Sequence, residues 1–196
     1  LSLHDALPIL PAPDLSVLKK SWKKDAPVAA ITFYRALVQS GNTEPVDAII
    51  DALRQRGINP LPIYIQSLKD SVSAGIVAQT LAETPPDVIL NATGFAVSTP
   101  GEDQAKTPFD AAGCPVLQMV FAATTEELWA ATDTGLVPRD IAMNVALPEV
   151  DGRVLARAVA FKSEARFDDA TQTAVVKHLP RDDRIGFTAD LAASWA

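Results

Sequence analysis

The chain has few of the residues on which common metal and disulfide sites depend. It contains one cysteine, Cys114, and two histidines, His4 and His178. A single cysteine excludes an internal disulfide and fits a reducing compartment, which we expect to be the cytoplasm. Two histidines cannot form a histidine-rich metal centre, so we exclude that kind of site within this chain.

The usual nucleotide-binding signatures are missing as well. The sequence has neither G-x-G-x-x-G nor G-x-x-x-x-G-K-[ST], the loops whose backbone N–H groups hold phosphates. A dinucleotide or an ATP bound by this chain is therefore unsupported. No apolar run is long enough to cross a bilayer. The formal net charge of −7 argues against nucleic acid or an anionic membrane as the main partner.

The two ends of the sequence have unusual features. Residues 1–9 are similar to the translation of a widely used sequencing adapter, and we expect them to be an artefact. At the other end, Phe187, Leu191 and Trp195 form one stripe of a helix with no stop signal after it. We therefore expect the chain to be a fragment of a longer protein.

Between the ends, 196 residues with 48% hydrophobic content suffice for one good-sized domain. Apolar runs of buried-strand type alternate with amphipathic helices. Strands are predicted at 28–33, 61–65, 87–91 and 114–121, and helices at 46–53, 73–83, 125–131 and 138–146. This alternation predicts an α/β fold of flavodoxin-like or Rossmann-like type, a parallel sheet with helices on both faces.

The flanking segments have different patterns. Residues 10–27 are proline-rich at their start and predict an extended lead or linker before an α/β domain at 28–150. After residue 150, segments 154–161 and 173–178 predict a β-hairpin, followed by the terminal helix. Residues 151–196 are thus expected to be a hairpin and a truncated helix that lead into a missing downstream domain.

The turn from Pro148 to Gly152 carries two carboxylates, Glu149 and Asp151, two residues apart. Carboxylates held at a corner between a helix and a strand suit metal or proton chemistry. Asp-Gly is also a frequent way to make a simple turn, and that structural role is the alternative.

Two features follow the first predicted strand. Arg35 is placed to bind a carboxylate, or else it is an ordinary surface arginine. Residues 40–43, Ser-Gly-Asn-Thr, resemble the phosphate loop of flavodoxins, although six residues separate them from the strand. Helix capping and anion binding are both open for this loop.

Polar residues also occur at the third and fourth strands. Residues 91–95, Asn-Ala-Thr-Gly-Phe, offer an amide, a hydroxyl and a close-approach glycine at a strand end, where ligands of parallel sheets bind. A simple strand-to-loop turn is the alternative. Gln118 lies within a strand, and an unpaired buried amide is costly, so it requires a partner or a ligand.

Together these segments resemble the family formed by the large subunit of aerobic cobaltochelatase, CobN, and the H subunit of magnesium chelatase. The segments that carry the resemblance are 26–31, 34–41, 67–70, 90–97, 115–118 and 140–153. Residues 91–97 and 143–149 favour the cobalt branch over the magnesium branch. Family members are several-fold longer, so we expect the chain alone to be inactive.

The resemblance implies a function. It implies ATP-dependent insertion of Co²⁺ into hydrogenobyrinic acid a,c-diamide, in cobalamin biosynthesis, with ATP and Mg²⁺ on separate AAA+ subunits of the CobS/CobT type. The alternatives are an H-type subunit that inserts Mg²⁺ into protoporphyrin IX, a flavodoxin-like module that binds an anion such as FMN phosphate, and a scaffold whose catalytic groups lie elsewhere.

The resemblance also suggests roles for residues. Metal insertion removes protons from the inner nitrogens of the ring and strips water from the ion, and carboxylates suit both tasks. Glu149 is the expected proton acceptor or transient metal ligand, and Asp151 assists it or holds the turn. Arg35 and Arg153 are expected to bind the carboxylates of the substrate. Further substrate contacts are expected from Asn91, Thr93, Gly94, Phe95 and Gln118.

Overall fold

The computed structural model describes residues 15–103, 105–169 and 172–196. The predicted artefact at 1–9 and the first part of the predicted lead lie outside these residues. The rest of the lead is partly helical rather than extended, since Leu15–Lys19 forms helix α1. Leu15, Leu18 and Trp22 pack against buried core residues, and the spacing of three residues places Leu15 and Leu18 on one face of α1.

Within the described residues, eight strands form two sheets. They are β1 (Val28–Tyr34), β2 (Asn59–Ile65), β3 (Val88–Asn91), β4 (Val116–Thr125), β5 (Val154–Lys162), β6 (Arg166–Asp168), β7 (Thr173–Val175) and β8 (His178–Pro180). The main sheet has the order β2-β1-β3-β4-β5-β8, parallel except for the β5–β8 pair. The order 2-1-3-4-5 is that of flavodoxin-like folds, so the predicted α/β class is confirmed.

Helices cover both faces of this sheet. Besides α1 they are α2 (Arg35–Gln39), α3 (Glu44–Gln55), α4 (Ser71–Glu83), α5 (Glu126–Ala130), α6 (Pro138–Ile141), α7 (Leu147–Val150) and α8 (Asp182–Trp195). Helices α3 and α8 bury apolar residues against one face of the sheet, and α4 buries Val77 and Leu81 against the other. No helix in the described part of the chain is long and apolar enough to span a membrane.

The C-terminal strands join the main sheet. β5 pairs in parallel with β4, so the sheet continues across the predicted boundary at residue 150. Residues 158–161 of β5 are buried in succession, as expected for a strand that is covered on both faces. β5 then pairs antiparallel with β8, whereas β7 pairs with β6 in a separate two-stranded sheet. The division into domains stays a prediction.

Edge strand β8 is tied to the loop before α3 through His178. The His178 backbone N–H donates to Oδ1 of Asn42 at 2.9 Å, and the ring Nδ1 lies 3.0 Å from the Asn42 Nδ2. Because an amide nitrogen only donates, the ring Nδ1 accepts and carries no proton. Burial, helped by the nearby charge of Lys162 and opposed by Asp140, lowers the pKa of His178.

This contact predicts a loss of stability on mild acidification. The pKa of His178 is lower in the folded chain than the value of about 6.5 in the unfolded chain, so the unfolded chain takes up the proton first. The free energy of unfolding should be at its maximum above about pH 7 and should fall as the pH drops through about 6. Urea unfolding at several pH values measures this. His178→Gln should remove the slope, and an equal slope in both proteins would contradict the prediction.

Candidate functional site

At the carboxyl end of β3, side chains from β1, β3 and β4 form a buried polar network. Oδ1 of Asn91 accepts from the hydroxyls of Thr32 at 2.6 Å and of Thr93 at 2.9 Å. Its Nδ2 donates to Oε1 of Gln118 at 2.7 Å and to the Thr93 carbonyl at 2.8 Å. The Gln118 Nε2 also donates to the Thr93 carbonyl, at 3.0 Å.

This network changes the expectation for three of the predicted substrate contacts. Asn91, Thr93 and Gln118 are all buried, and their side-chain groups bind one another rather than facing solvent. The partner that Gln118 requires is therefore within the protein. The network holds the Thr93 carbonyl, and with it the start of the turn formed by residues 93–95.

A buried ion pair fixes the same turn from the other side. The Arg153 Nη2 lies 2.6 Å from Oδ2 of Asp151, and both side chains are 1% exposed. The two carboxylate oxygens of Asp151 accept from the backbone N–H groups of Val97 at 2.7 Å and Ser98 at 2.9 Å. The Arg153 Nη1 donates to the Thr93 carbonyl at 3.4 Å.

The protonation of this pair follows from its surroundings. Burial by itself raises the pKa of Asp151, but the bonds from Ser98 and Val97 and the charge of Arg153 outweigh it, and the pKa is lowered. Burial lowers the pKa of Arg153, which Asp151 opposes. Both groups are thus buried and bound, which favours a positioning role for them over contact with a substrate.

A π-helical turn, Ala142–Ala146, connects α6 to α7 and contacts the 93–95 turn. Within it the Leu147 N–H bonds the carbonyl of Ala142, five residues back. By the same spacing the carbonyl of Met143 would need an N–H from Pro148, which has none. That carbonyl instead accepts from the Phe95 N–H at 2.7 Å.

Gly94 is required where these two segments touch. A Cβ at Gly94 would lie 2.8 Å from Oδ1 of Asn144 and 3.0 Å from the Met143 carbonyl, too close for any larger residue. The Asn144 amide donates to Asp140 at 3.3 Å, which restricts its movement. On the opposite side, the Gly94 N–H donates to the hydroxyl of Tyr34 at 3.0 Å.

The remaining candidates are exposed to solvent. Arg35 lies with Tyr64 and Gln66 in a cleft of about 300 Å³ at the ends of β1 and β2. Glu149 is exposed on α7. Among the described residues, no group of three or more His, Cys, Asp or Glu could hold a metal ion, so Glu149 is not part of a complete metal centre there.

The loop at residues 40–43 uses its polar groups internally. The Ser40 hydroxyl donates to the Ala36 carbonyl, the Thr43 hydroxyl donates to Asp47, and Asn42 binds His178. These bonds close the loop between α2 and α3, and they leave little support for a phosphate loop.

The sequence analysis assigned no role to two residues of the site. Tyr34 ends β1, and its hydroxyl holds Gly94. Asp140 is buried and accepts from the Ala123 N–H at 2.8 Å, which ties α6 to β4. An acid in the first turn of a helix is common, so its sequence position alone gave no signal of this contact.

Residues 8–196 match a family model described as CobN/Magnesium Chelatase. The chain belongs to the CobN/magnesium chelatase family. It is 51% identical over 172 residues to the aerobic cobaltochelatase subunit CobN of Sinorhizobium sp, a match covering 88% of this chain and 14% of that protein. It is 39% identical over 178 residues to the CobN subunit of Pseudomonas aeruginosa, covering 91% and 14%.

A solved structure agrees with this membership. The fold resembles the catalytic subunit of cobaltochelatase from Mycobacterium tuberculosis, with a TM-score of 0.65 and 27% identity over 86% of this chain and 14% of that one. The chain thus spans about 14% of the length of these CobN/magnesium chelatase relatives. The predicted family is confirmed.

The contact of Gly94 with the π-helical turn gives one prediction. Gly94→Ala should lower the free energy of unfolding by about 1–3 kcal/mol, because the added methyl overlaps Met143 and Asn144. Gly75→Ala is the matched control, since that glycine is in α4 with open space around it and alanine favours a helix by about 0.5–1 kcal/mol. Urea unfolding compares the two. Equal effects would contradict the assigned contact.

The buried ion pair gives another prediction. Asp151→Asn keeps the side-chain shape but leaves Arg153 buried without its counter-charge, so stability should fall by about 3–5 kcal/mol. Asp190→Asn, at the exposed pair with Arg56, should leave stability nearly unchanged because exposed pairs contribute little. Thermal and urea unfolding measure both variants. A small effect of Asp151→Asn would show that the pair does not hold the turn.

Proposed function

We propose that this chain is part of the large subunit of a tetrapyrrole metal chelatase, which inserts Co²⁺ into hydrogenobyrinic acid a,c-diamide in cobalamin biosynthesis. Its identity of 51% to a protein named as an aerobic cobaltochelatase subunit carries this proposal.

The proposed partners follow from the family resemblance. It implies that ATP and Mg²⁺ are bound by separate AAA+ subunits of the CobS/CobT type, and the missing Walker sequence in this chain is consistent with that. Because the chain spans about 14% of its relatives, the remaining parts of the large subunit are also required. The proposed compartment is the cytoplasm.

Glu149 is the proposed acid–base group. It is exposed on α7, and the neighbouring Asp151 is already bound to Arg153 and to two backbone N–H groups. Glu149 is therefore the carboxylate of this turn that is free to accept a proton from a ring nitrogen. It also offers oxygen atoms to Co²⁺ while the ion loses water, as a transient ligand.

The other residues position the substrate in this proposal. Arg35, exposed in its cleft, binds a peripheral carboxylate of the tetrapyrrole. Asp151 and Arg153 hold the 93–95 turn in place. Asn91 and Gln118 also hold it, through their hydrogen bonds to the Thr93 carbonyl. Metal insertion thus depends on an exposed acid and on a turn held by buried groups.

Glu149→Gln in the full-length subunit should abolish Co²⁺ insertion and spare tetrapyrrole binding, because the amide keeps the shape of the side chain but cannot accept the proton. Insertion is measured by the change in the absorption spectrum of the tetrapyrrole, with the AAA+ subunits and ATP present, and binding by quenching of tryptophan fluorescence. Glu127→Gln, at an exposed acid on α5, is the control and should remain active. Normal chelation by Glu149→Gln would reject the assignment.

A further inference from the structure

Phe95 combines an unfavourable backbone with an exposed ring. Its φ angle is +63°, in the left-handed region that bulky residues avoid at a cost of roughly 1–2 kcal/mol. The side chain does not gain full burial in return, since the residue is 46% exposed. Folding alone therefore gives no reason for phenylalanine at this position.

The surrounding structure prevents this backbone from relaxing. The Phe95 N–H is held by the Met143 carbonyl at 2.7 Å, and Gly94 has no room to shift against Asn144. The Thr93 carbonyl accepts from three buried side chains, those of Asn91, Gln118 and Arg153. A strained residue held by so many buried contacts is typical of ligand clamps.

Two arginines neighbour the residues that hold the 93–95 turn. The Arg139 Nε donates to Sδ of Met143 at 3.5 Å, and the carbonyl of that same Met143 holds Phe95. Arg35 directly follows Tyr34, whose hydroxyl holds Gly94. Both arginines are exposed. An exposed aromatic ring, with exposed guanidinium groups on neighbouring elements, suits a flat conjugated molecule that carries carboxylates at its rim.

We infer that Phe95 stacks on the macrocycle of the tetrapyrrole, and that Arg139, together with Arg35, binds carboxylates at the rim of that ring. This inference rests on the proposed function and adds to it a stacking role for Phe95 and a further binding residue, Arg139. The hydrogen bonds of the buried polar network then offset the cost of the left-handed backbone at Phe95, which exposes the ring.

The test is a fluorescence titration of the full-length subunit with hydrogenobyrinic acid a,c-diamide. Phe95→Asn should weaken binding about tenfold without lowering the melting temperature, since asparagine tolerates the left-handed region. Phe95→Trp should keep the affinity because it keeps an aromatic face. Phe95→Leu, with similar bulk and backbone but no ring, should lose affinity as Phe95→Asn does.

A second comparison separates the arginine contacts from the ring contact. Arg139→Gln should weaken binding of the free acid but not of its carboxyl methyl ester, whereas Phe95→Asn should weaken binding of both. Unchanged affinity of a folded Phe95→Asn subunit would overturn the inference and leave the proposed function standing. A lower melting temperature with unchanged affinity would assign the ring to an internal interface instead. Absence of binding by the unmodified subunit would overturn both proposals.

Discussion

The buried contact between Asp151 and Arg153 is the constraint on which the candidate site depends. Both charges are removed from water, and hydrogen bonds to the remaining donors and acceptors offset that cost, although the Arg153 Nε has no hydrogen-bond partner among the described residues. Asp151 therefore takes the N–H groups of Val97 and Ser98, and Arg153 reaches the Thr93 carbonyl. One ion pair thus fixes both ends of the loop that carries Phe95, and it fixes the turn after Glu149 as well.

The second constraint is the match between a proline and a glycine far apart in sequence. Pro148 has no N–H, and the π-helical spacing before it leaves the Met143 carbonyl without a helical donor. Gly94 has no side chain, so the 93–95 turn can approach that carbonyl and donate to it. Neither residue explains the contact alone. The two segments that most resemble the cobalt branch thereby form one structural unit.

Buried and exposed groups have separate roles in this arrangement. The polar side chains at the strand ends are buried and hold the backbone, while Phe95, Arg35 and Glu149 face solvent. Within the described residues there is no cluster that could hold a metal by itself.

The sequence by itself determined the alternation of strands and helices and the family, because buried parallel strands and amphipathic helices leave clear periodic patterns. It also located the polar residues at the strand ends and predicted that Gln118 needed a partner. Only the tertiary structure decided which of these residues are exposed. The contacts of Asn91 with Gln118 and of Val97 with Asp151 join residues 27 and 54 positions apart. The pairing of β5 with β4 and β8 was likewise decided only by the tertiary structure. A pattern of residue types gives the period of each element but not the side chain that it meets, because that depends on how distant elements pack together.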